Sequence, residues 1–148
     1  MNSPDFTTSI VVNNTPSEVF NAAIDVRNWW SQNIKGSTDM LNGIFNYHSG
    51  DSHRCQIKII EFTRDSKVVW EVLDNYFDFT ENEHEWKGDK IIFDIKEIDN
   101  KTTLQFTQQG LNPTYECYER CAHEWTNYMH KSLYNLITVG KGSPEPHE

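Results

Sequence analysis

Apolar residues recur along this chain with two distinct periods, and the switches between them divide it into strands and helices. Ile10 and Val12, set among small β-tolerant neighbours, predict a first strand over Thr7 to Asn13. Thr15-Pro16-Ser17-Glu18 then reads as a helix start, with Thr15 as cap, Pro16 at the first helical position and Glu18 completing a capping box. Val19, Phe20, Ala23 and Ile24 follow at helical spacing and define its buried stripe. A second short helix is predicted over Asp25 to Gln32, carrying Val26, Trp29 and Trp30.

From Gly43 onward the period is two. Phe45 and Tyr47 mark a strand that ends near Ser49-Gly50-Asp51. His53 to Phe62 sets Cys55, Ile57 and Ile59 against Arg54, Gln56 and Lys58, and Lys67 to Leu73 repeats the pattern with Val68, Trp70 and Val72. Asp74 to Glu85 is acidic and aperiodic apart from Tyr76, Phe77 and Phe79, and reads as a solvated loop. Trp86-Lys87-Gly88-Asp89 bends into a strand with Ile91, Phe93 and Ile95 inward, and Asp99-Asn100 turns into the last strand, Thr102 to Gln108, with Leu104 and Phe106 inward. Short turns between consecutive strands imply an antiparallel meander.

After Gly110, Asn112-Pro113 predicts the start of a helix running to about Val139, roughly 40 Å long. Tyr118, Ala122, Trp125, Met129, Leu133 and Leu136 form its apolar stripe, and Gly140 and Gly142 end it. The tail from Ser143 to Glu148 is expected to be flexible, leaving about 5–142 as the ordered part of one domain. The fold class is α+β, a curved antiparallel sheet covered by a long C-terminal helix with an apolar pocket between them.

Composition narrows the function. Among 148 residues, 5 Trp, 6 Tyr and 8 Phe supply either a large aromatic core or an aromatic-lined cavity. A net charge of −9 argues against nucleic acid as a partner. No stretch approaches the roughly 20 apolar residues of a membrane span, and the N-terminus lacks signal-peptide character. Cys55, Cys117 and Cys121 are an odd set that reads as free thiols, and the expected location is cytoplasmic. None of the histidines, His48, His53, His84, His123, His130 and His147, falls in a metal-ligand spacing. The absence of a Gly-rich phosphate loop, nucleophile elbow or dinucleotide fingerprint implies no cofactor. His53, inward beside Cys55, is the best placed titratable group to orient a ligand or handle a proton; the alternative is a satisfied core histidine.

Four segments carry a family resemblance: Ile10-Val11-Val12 through Thr15-Pro16-Ser17-Glu18-Val19-Phe20, Trp29-Trp30, Val69-Trp70-Glu71-Val72, and Gln109-Gly110-Leu111 leading to the Trp125 helix. In this order they resemble the helix-grip fold of the START-like superfamily, from about Thr7 to Gly140, and most nearly the bacterial proteins related to the activator of the heat-shock-protein-90 ATPase. The resemblance transfers no catalytic residue. It implies a cavity for lipids, polyketides or other apolar molecules, with Trp29, Trp30, Phe45, Tyr47, His53, Trp70, Phe93, Phe106, Tyr118, Ala122 and Trp125 as its candidate lining, although the same side chains serve equally as core. It implies a small hydrophobic ligand as partner, with a chaperone-associated module or a cyclase- or hydrolase-like enzyme as alternatives. The expected assembly is a monomer or weak homodimer.

Overall fold

The computed structural model describes residues 4–145. The period-two segments form strands β1 (Phe6–Val12), β2 (Ile34–Gly36), β3 (Ile44–Ser49), β4 (His53–Thr63), β5 (Lys67–Phe77), β6 (Lys90–Ile98) and β7 (Lys101–Gln109). They make one antiparallel sheet in the order β1-β7-β6-β5-β4-β3-β2. Asp99 and Asn100 both take positive φ, 53° and 63°, as a tight two-residue hairpin turn requires between β6 and β7.

Helix α1 (Pro16–Ile24) carries the predicted capping box: Glu18 N–H donates to Thr15 Oγ1 at 3.1 Å, and Thr15 N–H donates to Glu18 Oε1 at 3.1 Å. The second helix shrinks to one 3-10 turn, Val26–Asn28, because the following residues are drawn into β2 and the core beneath it. Val26, Trp29 and Trp30 are nonetheless buried, as the apolar pattern demands.

Strand β5 outruns its expected end at Leu73. Ile57 lies opposite Val72 and Gln56 opposite Asp74, so Leu73 is an extra residue in the ladder. This bulge reverses the alternation, turning Asn75 and Phe77 inward where Val68, Trp70 and Val72 were inward before it. The acidic segment therefore begins as sheet and leaves it only after Phe77.

The C-terminal helix starts later than Asn112-Pro113 suggested. Asn112 Oδ1 accepts from Thr114 N–H at 3.0 Å and so caps a local turn. The helix proper comprises α2 (Tyr118–Asn127), a π-helical segment (Tyr128–Leu133) and α3 (Tyr134–Val139), 22 residues in all. Its buried stripe is Cys117, Cys121, Trp125, Met129, Leu133 and Ile137, a run of four-residue steps. Four residues overshoot an α-helical turn by about 40°, so such a run drifts off one face unless the helix widens, as it does over the π segment. Tyr118, Ala122 and Leu136, placed on the stripe by the three- and four-residue reading, are only half-buried.

Ser143, Pro144 and Glu145 do not form a free tail. Glu145 bridges in parallel to Ser31, with its N–H on Trp30 O at 2.9 Å and its carbonyl accepting from Gln32 N–H at 2.7 Å. The rest of the expected tail, 146–148 with His147, lies outside the described residues. Among the described residues no helix is long and apolar enough to cross a membrane.

Candidate functional site

The site is built where the concave face of the sheet meets the 3-10 turn and α2. Strand alternation points Phe45, Tyr47, His53, Trp70, Phe93 and Phe106 into this space; the turn adds Trp29 and Trp30, and α2 adds Trp125. These nine of the eleven expected lining residues do come together, each no more than 8% exposed. Tyr118 packs half-buried on the rim of the core, and Ala122 stands half-buried on the flank of the helix.

The rings occupy most of the expected pocket. Trp30 stacks on Tyr47 at 4.2 Å between centroids and lies 5.1 Å from Trp125, while Trp70 meets Phe93 edge-on at 4.8 Å. Trp29 and Trp70 are nearly parallel at 6.5 Å, and Phe106 closes the far side against Trp125 at 4.7 Å. What remains is a slot of about 10 Å³ bounded by Trp30, Tyr47, His53, Trp86, Cys121, Glu124, Trp125 and Tyr128. That is at the lower limit for one water.

Among the described residues, His53 Nδ1 and Trp86 Nε1 border this slot without hydrogen-bond partners. His53 Nε2 lies 2.9 Å from Asn75 Oδ1, the amide that the β5 bulge turns inward. Taking that oxygen as acceptor puts the imidazole proton on Nε2 and leaves Nδ1 as a bare acceptor, unbonded among the described residues. Burial among Tyr47, Phe77 and Trp86 pushes the His53 pKa down to about 4, so the ring is neutral at pH 7. Trp86 Nε1 is buried and has no hydrogen-bond partner among the described residues. Outside the slot's lining, Asn75 Nδ2 and Trp70 Nε1 are also buried and, among the described residues, unpaired. Burial also pushes the Cys55 thiol up, and the neighbouring Cys117 thiol together with burial does so for Cys121, so both are protonated.

A second polar network anchors the helix end of the site. Asp89 accepts from Tyr115 OH at 2.6 Å and from Gln108 Nε2 at 2.9 Å, and Gln108 Oε1 accepts the Trp125 indole N–H at 2.8 Å. This chain fixes the Trp125 ring against the sheet. Burial pushes the Asp89 pKa up to about 6. Nearby, Glu85 accepts from the Glu116 and Cys117 N–H groups at 2.6 and 3.1 Å, holding the start of the helix.

Trp86, Cys121, Glu124 and Tyr128 escaped the sequence reading of the site. Tyr128 lies three residues beyond Trp125, a helical neighbour that the stripe could have included; Trp86 stood alone at the end of an aperiodic segment. A wider groove of about 620 Å³ opens on the outer side of β2 to β5, beside Lys35, His48, Arg54, Asp74, Tyr76 and His84. It is larger, but it is lined mainly by exposed polar side chains of the outer sheet face; there Arg54 stacks on Tyr76 at 4.3 Å and His84 Nδ1 meets Asn75 O at 2.6 Å. The inner slot, with its unpaired atoms, is the better candidate. Among the described residues no group of three or more His, Cys, Asp or Glu could hold a metal.

Neither a family model nor a curated protein matches the chain. Solved structures do. The Aha1 dimer from Colwellia psychrerythraea aligns over 94% of this chain and 99% of its own, with a TM-score of 0.75 at 19% identity. A Mesorhizobium loti protein aligns over 91% and 98%, with a TM-score of 0.68 at 10% identity. DynU16, a protein in the dynemicin biosynthetic locus, aligns over 94% of this chain and 49% of its own, with a TM-score of 0.67 at 14% identity. Together with the seven-stranded antiparallel sheet and the helix laid across it, these likenesses show that the chain has the helix-grip fold.

Proposed function

We propose that the protein binds a small hydrophobic, ring-bearing molecule between the sheet and the C-terminal helix, and that it does so without catalysing a reaction. The observation that carries this reading is the convergence of unpaired polar atoms, His53 Nδ1 and Trp86 Nε1, on a slot walled by aromatic rings. The buried Trp86 N–H without a partner costs about 1–3 kcal/mol, which an acceptor on the ligand would recover in part, and a ligand donor could bond His53 Nδ1. Burying a ring of roughly 150 Å² would contribute about 4 kcal/mol, less the cost of parting Trp30 from Trp125. His53, held neutral and bonded to an amide rather than a carboxylate, suits orientation of a ligand better than proton transfer.

Protein NMR against a library of lipids and aromatic compounds tests the proposal. Binding should shift the indole N–H signals of Trp30, Trp86 and Trp125 together; silence of all three across the library refutes it. A chaperone-associated role is the second reading, supported by the likeness to Aha1 along the whole of that chain. Failure to recover a chaperone in a pull-down, with chaperone ATPase unchanged, would remove it. Because that neighbour is described as a dimer, sedimentation at increasing concentration should likewise reveal any self-association.

A further inference from the structure

The segment that follows the helix is bound to residues that wall the slot, with Glu145 bonded to Trp30 and Tyr47. Gly140 takes the left-handed conformation, φ 84°, and reverses the chain. Gly142 then presses so closely on the turn after α1 that a Cβ there would lie 2.3 Å from Asn28 O. Ser143 N–H donates to Ser132 Oγ at 2.7 Å, and Ser132 Oγ in turn donates to Trp29 O at 2.7 Å. The bridge to Ser31 brings in Glu145, and Tyr47 OH donates to its carboxylate at 3.0 Å. The Tyr128 side chain borders the same recess as Glu145, and burial with the charge of that carboxylate holds both phenols far above their ordinary pKa, so both remain donors. A recess of about 360 Å³, edged by Lys131, Glu124 and Ser132, lies alongside.

We propose that the Tyr47 and Tyr128 hydroxyls form a carboxylate-binding site, that Glu145 fills it as an internal ligand, and that the external ligand is a hydrophobic carboxylic acid whose carboxylate takes the place of Glu145. The inference rests on the ring-binding reading above and adds the chemical class of the ligand. The exchange is charge-neutral: one carboxylate leaves as another arrives, so the Glu124 charge opposes the newcomer no more than it opposes Glu145. Phenol hydrogen bonds to a carboxylate are charge-assisted and roughly twice as strong as those to a neutral amide, which gives the site its preference. A tethered competitor acts at an effective concentration of order millimolar, so it weakens every ligand that must displace it.

The test titrates 2-naphthoate and 2-naphthamide into the full chain and into the Glu145→Ala and Tyr47→Phe variants, following the indole and Glu145 backbone N–H signals by NMR. The acid should bind at least about tenfold more tightly than the amide, should gain about tenfold in Glu145→Ala, and should release the Glu145 N–H signal to a solvent-exposed position in the unaltered chain. Tyr47→Phe should reduce the acid preference at least several-fold. Equal binding of acid and amide at the slot, or no gain in Glu145→Ala, overturns the carboxylate assignment while leaving the ring-binding reading intact. If neither probe binds the unaltered chain or Glu145→Ala, and the wider library is also silent, both readings fall.

Discussion

Asp89 and His53 are displaced from their ordinary ionisation in ways that set opposite pH dependences, and separating them is the sharpest test of the buried polar arrangement. Asp89 is raised from 3.8 to about 6 by burial, so the native state holds a proton that the unfolded chain has lost. Its contribution to stability is full below pH 3.8 and disappears as pH rises through 6. His53 is lowered from 6.5 to about 4 by burial; its contribution is full above pH 6.5 and disappears as pH falls through 4. Each displacement exceeds two pH units and corresponds to on the order of 3 kcal/mol, delivered at no more than about 1.4 kcal/mol per pH unit. Between pH 4 and 6 the two slopes largely cancel. Asp89→Asn keeps the shape and can still bond Tyr115 and Gln108 once the phenol acts as acceptor. Urea unfolding at half-unit steps from pH 4 to 7 should show Asp89→Asn gaining on the unaltered protein by up to about 3 kcal/mol as pH rises. His53→Gln, which can still donate to Asn75, should gain by a similar amount as pH falls. Difference curves that stay level across this range would refute the reasoning, since all other titrating groups are common to each pair.

Further outcomes follow from single contacts. Gly110 has φ 111°, and a Cβ there would lie 2.1 Å from Asp89 Oδ1; Gly110→Ala should therefore cost at least about 2 kcal/mol in denaturant unfolding and alter Trp125 fluorescence. Ser132→Ala leaves Ser143 N–H without its acceptor and should lower stability by about 1–3 kcal/mol, with faster hydrogen exchange at Ser143 and Glu145. Trp125→Phe strands Gln108 Oε1 and should cost a further few kcal/mol, read by the same unfolding assay. Cys55, Cys117 and Cys121 are buried, so a thiol reagent should label none of them in the native protein and all three once it is unfolded.

The fold was legible wherever one period held across an element. The capping box at Thr15 and the alternations in β4, β6 and β7 were plain because local chemistry and tertiary burial agreed there. Three residues of β2 are too few to show a period. The bulge at Leu73 changed the phase of β5 in mid-strand, so Asn75 and Phe77 looked like loop residues although they support His53. The π segment alters the periodicity of the long helix only from Tyr128 onward, and before it burial falls on Cys117 and Cys121 because positions four and eight before Trp125 share its face as well as positions three and seven do. In the candidate site, aromatic residues on regular elements were found, whereas Trp86 and Glu145 were not. Their places depend on chain reversals that only long-range pairing fixes, and a Glu after two glycines looks the same in sequence whether it is solvated or bound to Tyr47.

The position of β1 has a consequence for how the chain acquires its structure. Its single neighbour in the sheet is β7, with Phe6 opposite Gln108 and Val12 opposite Thr102, whereas β3 to β7 pair in sequence. Joining β1 to β7 closes a loop of about 90 residues, at an entropic cost of about 4 kcal/mol beyond a constant. At ribosomal speeds that stretch takes roughly 5–20 s to synthesise, during which the first strand has no template. The meander can assemble hairpin by hairpin as it emerges, but the sheet acquires its first strand near the end. The late, non-local step is the one expected to govern folding rate, and truncation before β7 should leave β1 unpaired however complete the rest of the sheet is.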